Sequence, residues 1–373
     1  MCRQSVFAAT IRKTWLGKRA ADRLVLLVQP SQNLRLDPSV FCPAFSGKML
    51  RRWALCVLSA STWVWSANAG VQLTRLPDRV RVEVDGQLFT EYRFGPDAPK
   101  PFFHPILSSD GTSLTRAFPM QSVPGEEQDH PHHRSLWFAH GSVNKVDFWL
   151  EKPGVTGRIE HGGLLEVTQV SPELGRFRAR NRWVTPAGAT LLTDETTVEI
   201  RSVHQGRLLD FAITLHASEG MPVVFGDTKE GTMALRVAQW MTLPHRFQGK
   251  EVPGQGQMVN REGGAGAGIW GLRSAWMDYF APREGKIYGV AIFDHPTNPR
   301  HPTWWHARDY GLFAANPFGK HDFEKLKDQP QAGDWTLPAG SKATFRYRFY
   351  IHEGDTRVSG VEEQYQRFQA LKP

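Results

Sequence analysis

The chain has 373 residues, with 45 Lys/Arg against 37 Asp/Glu and a formal net charge of +8. Residues 1–69 carry ten Lys/Arg and two Asp/Glu, so they hold the whole excess and the other 304 residues balance to zero. That balance leaves no basic surface for nucleic acid, and none is expected as a partner. All three Cys (Cys2, Cys42, Cys56) lie in the leading segment, and all 14 His lie beyond it. The later part therefore lacks disulfides and thiolate ligands or nucleophiles. It is long enough to rest on a hydrophobic core alone.

From Met49 the sequence reads as a secretory signal peptide. Arg51 and Arg52 form a positive start, Trp53–Trp65 is a charge-free and largely apolar run, and Ala67-Asn68-Ala69 is a small-residue cleavage site. The run is too short to span a bilayer, which takes about 20 apolar residues. The expected organisation is an upstream mis-translated or disordered stretch over residues 1–48, a signal peptide over 49–69 and one domain over 70–373. That domain is expected to be periplasmic or secreted, with no membrane span after cleavage.

The chain's 34 Gly and 25 Pro fall mostly in this domain and punctuate it every ten residues or so, a spacing that suits short strands. Arg79–Val84 alternates polar and apolar, Asp85-Gly86 is a hairpin turn signal, and Gln87–Phe94 is its partner strand. Arg176–Val184, Thr196–Ile200 and Leu208–Leu215 read as strands, and Gly289–Phe293 as an apolar one. In the last strand Phe345, Tyr347, Phe349 and Ile351 point one way and Arg346, Arg348 and Tyr350 the other. Only Val358–Leu371 has helical spacing. The fold class predicted is mainly β, a large antiparallel β-sandwich closed by a short C-terminal helix.

Chemistry-bearing residues concentrate in three stretches. In the first, Asp129–Gly141, four of the 14 His fall within eleven residues. His130 and His132 share a face if the segment is extended, and can bind a divalent metal together or act on a substrate. The second, Asp294–Gly311, brings His306, Arg308 and Asp309 beside the pair Trp304-Trp305, followed by Asn316. Flat aromatic faces beside hydrogen-bonding groups suit a sugar ring, whose C–H face stacks while its hydroxyls pair. Adjacent Trp residues in a strand point oppositely, so one serves the core and the other the site. In the third, Phe225–Thr232, Asp227, Lys229 and Glu230 occupy a Gly-bounded turn, as a tuned carboxylate base or as a solvated loop.

These stretches, DHPHHRSLWFAHGSVNKVDFW, FGDTKEGTMALRVA and FDHPTNPRHPTWWHARDYGLFAANPFG, resemble the exported bacterial family labelled PmoA-like, over most of residues 75–355. The resemblance implies a galactose-mutarotase-like supersandwich, a fold frequent among carbohydrate-acting proteins. It also implies a shared polar set of His130, His132, His133, Arg134, Asp227, Lys229, Glu230, His306 and Arg308. The label itself refers to a subunit of a membrane monooxygenase, which does not suit a domain without a spanning helix.

The reading is an exported protein that binds or processes a sugar, an oxidised sugar or an oligosaccharide by epimerase, lyase or hydrolase chemistry. His133 or His306 is the expected general acid/base, and Glu230 or Asp309 the complementary carboxylate. His130, His132, Arg134, Lys229, Trp305, Arg308 and Asn316 are the expected substrate-binding residues. No cofactor is required. Two alternatives stay open, a divalent-metal enzyme with His130 and His132 as ligands and a non-catalytic sugar-binding module.

Overall fold

The computed structural model describes residues 70–372. The expected signal peptide, its cleavage site and residues 1–48 lie outside them. Two large antiparallel sheets make up the domain. The first has nine strands in the order Val71–Arg75, Arg79–Val84, Gln87–Arg93, Phe102–Phe103, Leu136–His140, Gly231–Arg236, Leu312–Asn316, Thr303–Ala307 and Arg273–Ser274. The second has eight, from Gln257–Asn260 through Trp276–Arg283, Lys286–Asp294, Lys342–Glu353, Gly206–Ala217, Thr190–Val203 and Leu174–Val184 to Arg158–Ser171. The mainly β, antiparallel sandwich predicted from alternation is present.

Local chemistry explains the individual elements. The first hairpin turns at Asp85 (φ 54°) and Gly86 (φ 75°), the two positive φ values of the turn that matches strand twist. The C-terminal helix is shorter than its pattern and spans Val361–Gln369, because Gly360 enters the left-handed region (φ 67°) and starts it late. Val361, Tyr365 and Phe368 of this helix cover Tyr350, whose hydroxyl donates to the Ser359 carbonyl at 2.9 Å. That cover buries Tyr350, which alternation alone places on an open face.

Between the sheets, Phe138 packs on Trp183 and Phe211, Phe103 on Phe177, and Phe313 on Tyr279, at centroid distances of 5.9–6.3 Å. Each such buried side chain contributes roughly 1.5–3 kcal/mol. Pairing sets the faces of the central strands. Leu136, Phe138, Met233, Leu235, Phe313, Ala315 and Trp305 face the second sheet. Trp137, Ala139, Thr232, Ala234, Arg236, Ala314, Asn316, Trp304 and His306 face away from it. This second set is the frame of the candidate site.

Trp305 therefore corrects one expectation. It is fully buried, lies 5.6 Å from Phe313, and its indole N–H donates to the Ser274 carbonyl at 3.0 Å, so no face is left for a sugar. Replacing Trp305 by Ala is expected to cost about 3–5 kcal/mol of unfolding free energy, read from urea midpoints. Loss of ligand binding at unchanged stability would instead mark it as a stacking platform.

Candidate functional site

Asp129 organises the site. Its carboxylate accepts from Arg116 and from the His130 Nδ1, and from Arg236 Nη2 at 3.1 Å. Arg116 and Arg236 are almost fully buried. Arg116 also donates to the His130 carbonyl at 2.9 Å, which fixes the histidine loop over the sheet. Burial works against the Asp129 charge, but His130, Arg236 and Arg116 outweigh it and hold the carboxyl well below its usual range. Burial, then repulsion from Arg236, brings Arg116 down to about 10.

Around this network the rings form a column. Tyr310 stacks on His130 (5.4 Å, 8°), His130 on His133 (4.7 Å, 11°), and His133 on Trp137 (5.3 Å, 23°). The Arg236 guanidinium sits 4.5 Å from the Tyr310 ring centre and that of Arg308 5.5 Å. His132 meets His133 edge-on at 4.5 Å. His130 is the exposed member of the column.

Three strands along the same face, about 14 Å from Trp137 at ordinary strand spacing, His306 donates from Nδ1 to the Lys229 carbonyl at 2.8 Å. The loop bearing Lys229 and Glu230 is pinned by its backbone. The Thr228 carbonyl accepts from Asn316, the Glu230 carbonyl accepts from the Gly141 N–H, and the Lys229 N–H donates to Asp322. The strand begins at Gly231 because a Cβ there would lie 2.4 Å from the His140 ring. Lys229 Nζ and Glu230 Oε1 form a half-exposed pair at 2.5 Å.

Partner chemistry fixes two tautomers. A guanidinium only donates, so Nδ1 of His133 accepts from Arg236 Nη1 (3.4 Å) and Nε2 carries the proton. A carbonyl only accepts, so Nδ1 of His306 carries the proton and Nε2 presents a lone pair. Neither Nε2 has a protein partner among the described residues. Both rings are neutral. Burial and then Arg236 push His133 well below the usual value, and burial and then Arg308 push His306 to about 3. Burial and then Lys100 take His132 to about 3 as well.

Other expected residues have structural tasks. Arg134 binds Glu151 at 2.8–2.9 Å, and the buried Lys100 takes the same carboxylate at 2.8 Å. Asp309 accepts from the Tyr310 N–H at 2.9 Å and caps its own turn, so it corrects the expectation of a catalytic carboxylate. Asn316 is fully buried, with its amide held by the Thr228 carbonyl and the Phe318 N–H. Asp227 accepts from the N–H groups of His321 and Gly333. The sequence reading missed Arg116, Arg236, Tyr310, Glu127 and His245. Both nitrogens of His245 face acceptors, Glu127 Oε1 at 2.8 Å and the Leu243 carbonyl at 2.9 Å. The one signal was a lone Arg236 in an otherwise apolar run.

Among the described residues no group of three or more His, Asp or Glu is arranged to hold a metal ion, and His130 commits Nδ1 to Asp129. A cleft of about 950 Å³ opens beside Glu127, lined by Thr112, Ser113, Gln239, Trp240 and Phe247. The histidines do not line it. The ring column and the Lys229–Glu230 loop hold the unpartnered functional atoms, so they form the candidate site.

Residues 79–366 match a single protein family. The chain belongs to that family, DUF6807, whose function is unknown. The DUF6807 match carries no PmoA label, so it supports that part of the motif resemblance no further. No curated protein matches the chain. Solved structures with a similar layout include a galactose mutarotase-like protein from Lactobacillus casei ATCC 334, at 10% identity over 76% of this chain and 100% of that one, TM-score 0.34. A galactose mutarotase related enzyme from Lactobacillus acidophilus matches at 10% identity over 76% and 97%, TM-score 0.30. The GH36 alpha-galactosidase AgaB from Geobacillus stearothermophilus matches at 10% over 76% and 41%, TM-score 0.38. At such identities and TM-scores, what those proteins do stays with them, and the chemistry of the DUF6807 chain has to come from its own residues.

The depressed histidines make a pH prediction. Their unfolded forms take up protons below about pH 6.5, while His306 and His132 stay neutral in the fold until about 3. Unfolding therefore binds protons in this window, and stability falls as pH drops from about 6.5. The unfolding midpoint should decline between pH 6.5 and 4.5, and less steeply in His306→Gln. A flat midpoint over that range would contradict buried neutral rings.

Proposed function

We propose that this protein is an exported carbohydrate-processing protein whose site is the sheet face between the ring column and the Lys229–Glu230 loop. The observation that carries the reading is the opposite tautomers of two neutral histidines on one face. His133 offers an N–H and His306 a lone pair, a donor and an acceptor three strands apart that suit hydroxyls on different rings of an oligosaccharide. The exposed His130, stacked between Tyr310 and His133, presents only its polar edge, so it can meet hydroxyls but not the C–H face of a ring. Export rests on the signal-peptide pattern of residues 49–69.

Proton transfer follows from the same arrangement. Glu230 takes a proton from a sugar hydroxyl, while His133 Nε2–H polarises the oxygen on which charge develops. His306 Nε2 accepts from a second hydroxyl and fixes the orientation. Lys229, 2.5 Å from Glu230, stabilises the carboxylate between turnovers. Opening of a sugar hemiacetal balances with these groups and one water: Glu230 takes the anomeric hydroxyl proton as C1=O forms and C1–O5 breaks, water delivers a proton to O5, and reclosure on the other face of C1 reverses the transfers. A sugar-binding module is the second reading, favoured because Glu230 and Asp129 are both already paired.

Turnover is checked by NMR of anomer exchange across aldoses and uronates. Glu230→Gln should lower kcat by about 10²–10⁴-fold, the usual share of a general base, with a small change in KM. His306→Gln should act mainly on KM. Saturable binding without turnover by the wild type would select the binding module. No binding to any sugar would reject both readings.

A further inference from the structure

Counter-ions are unevenly distributed in this site. Arg116 and Arg236 share Asp129, and Lys100 and Arg134 share Glu151. Lys229 holds Glu230. Glu127 is taken by His245 at 2.8 Å and stands 3.8 Å from Arg236. Arg308 is left over. Among the described residues it has no carboxylate within ion-pair distance and no side-chain hydrogen bond, although Asp309 follows it in sequence and turns its carboxylate to the Tyr310 N–H. The Arg308 guanidinium stands over the Tyr310 ring, the outer end of the column that ends in His133. It is half-buried, so its charge is only partly hydrated and has nothing opposite to it.

The three histidines feel the same excess. Burial is the first cause that keeps His133 and His306 neutral; Arg236 and Arg116 add to it at His133, and Arg308 and Lys229 at His306, where Asp322 acts the other way. Of the cations around the site, Arg308 is the one with no carboxylate partner among the described residues. Half-buried charges are normally paired. A guanidinium presents a planar fork of N–H groups that matches a carboxylate or a phosphate.

We propose that the natural ligand is a sugar bearing an anionic group, and that Arg308, beside the Tyr310 end of the ring column, binds that group. This rests on the carbohydrate reading above and narrows it. The same Arg308 then sets specificity, because a neutral sugar leaves it unpaired.

The test uses calorimetric titration of the exported chain with glucuronate and galacturonate, their methyl esters and the corresponding 6-phosphates. At low salt an acid should bind at least about tenfold more tightly than its ester, the usual gain from a charge-assisted contact. The preference should shrink as salt is raised. In Arg308→Gln the acid-to-ester ratio should fall towards one, and Arg308→Lys should keep part of it, with unfolding midpoints checking that both variants fold. Preference for the carboxylate or for the phosphate supports the proposal and tells which anion it is. Equal binding of acid and ester overturns it while leaving the carbohydrate reading in place. A preference that survives in folded Arg308→Gln overturns the role of Arg308. Failure of every sugar, charged or neutral, removes the carbohydrate reading and this proposal with it.

Discussion

A single carboxylate, Asp129, stands between two guanidinium groups that the fold has taken out of water. Unpaired, either cation would be costly to bury, so the arrangement exists only if the histidine loop, the strand bearing Arg236 and the segment bearing Arg116 come together. Burial first, and repulsion from the neighbouring guanidinium groups second, brings Arg116 down to about 10 and pushes His133 well below the usual value. The direction of the Arg236 guanidinium decides which nitrogen of His133 keeps its proton.

The site is thus built from the sandwich outward. Small side chains at Ala139, Ala234 and Ala314 keep the outer face of the central strands low, and the large polar groups stand around them on adjoining loops. A neutral imidazole that donates and another that accepts are suited to hydroxyl recognition at neutral pH, and neither depends on the ordinary histidine titration. Among the described residues the half-buried Arg308 guanidinium has no carboxylate partner.

Much of this was legible in the sequence. Strict alternation gave away the first hairpin and the long strands of the second sheet, because each has one polar face. The strand Gly231–Arg236 was not visible, since it is buried on both sides and reads as an apolar run after a turn. The three polar stretches, dense in the sequence, contribute the groups of the candidate site. Assigning residues within them failed where direction mattered. Trp305, Asp309 and Asn316 sit beside site residues in sequence yet turn into the core, into their own turn or onto backbone. Arg116, Glu127 and His245 were missed because a single buried charge leaves no pattern, and its partners lie far away in the chain.

Nitrogen-15 NMR of histidine-labelled protein at pH 7, with signals assigned through His133→Gln and His306→Gln, tests the central claim most directly. The account predicts two neutral rings of opposite tautomer, His133 protonated on Nε2 and His306 on Nδ1, unchanged down to about pH 5. An imidazolium at either position, or the same tautomer at both, would contradict it.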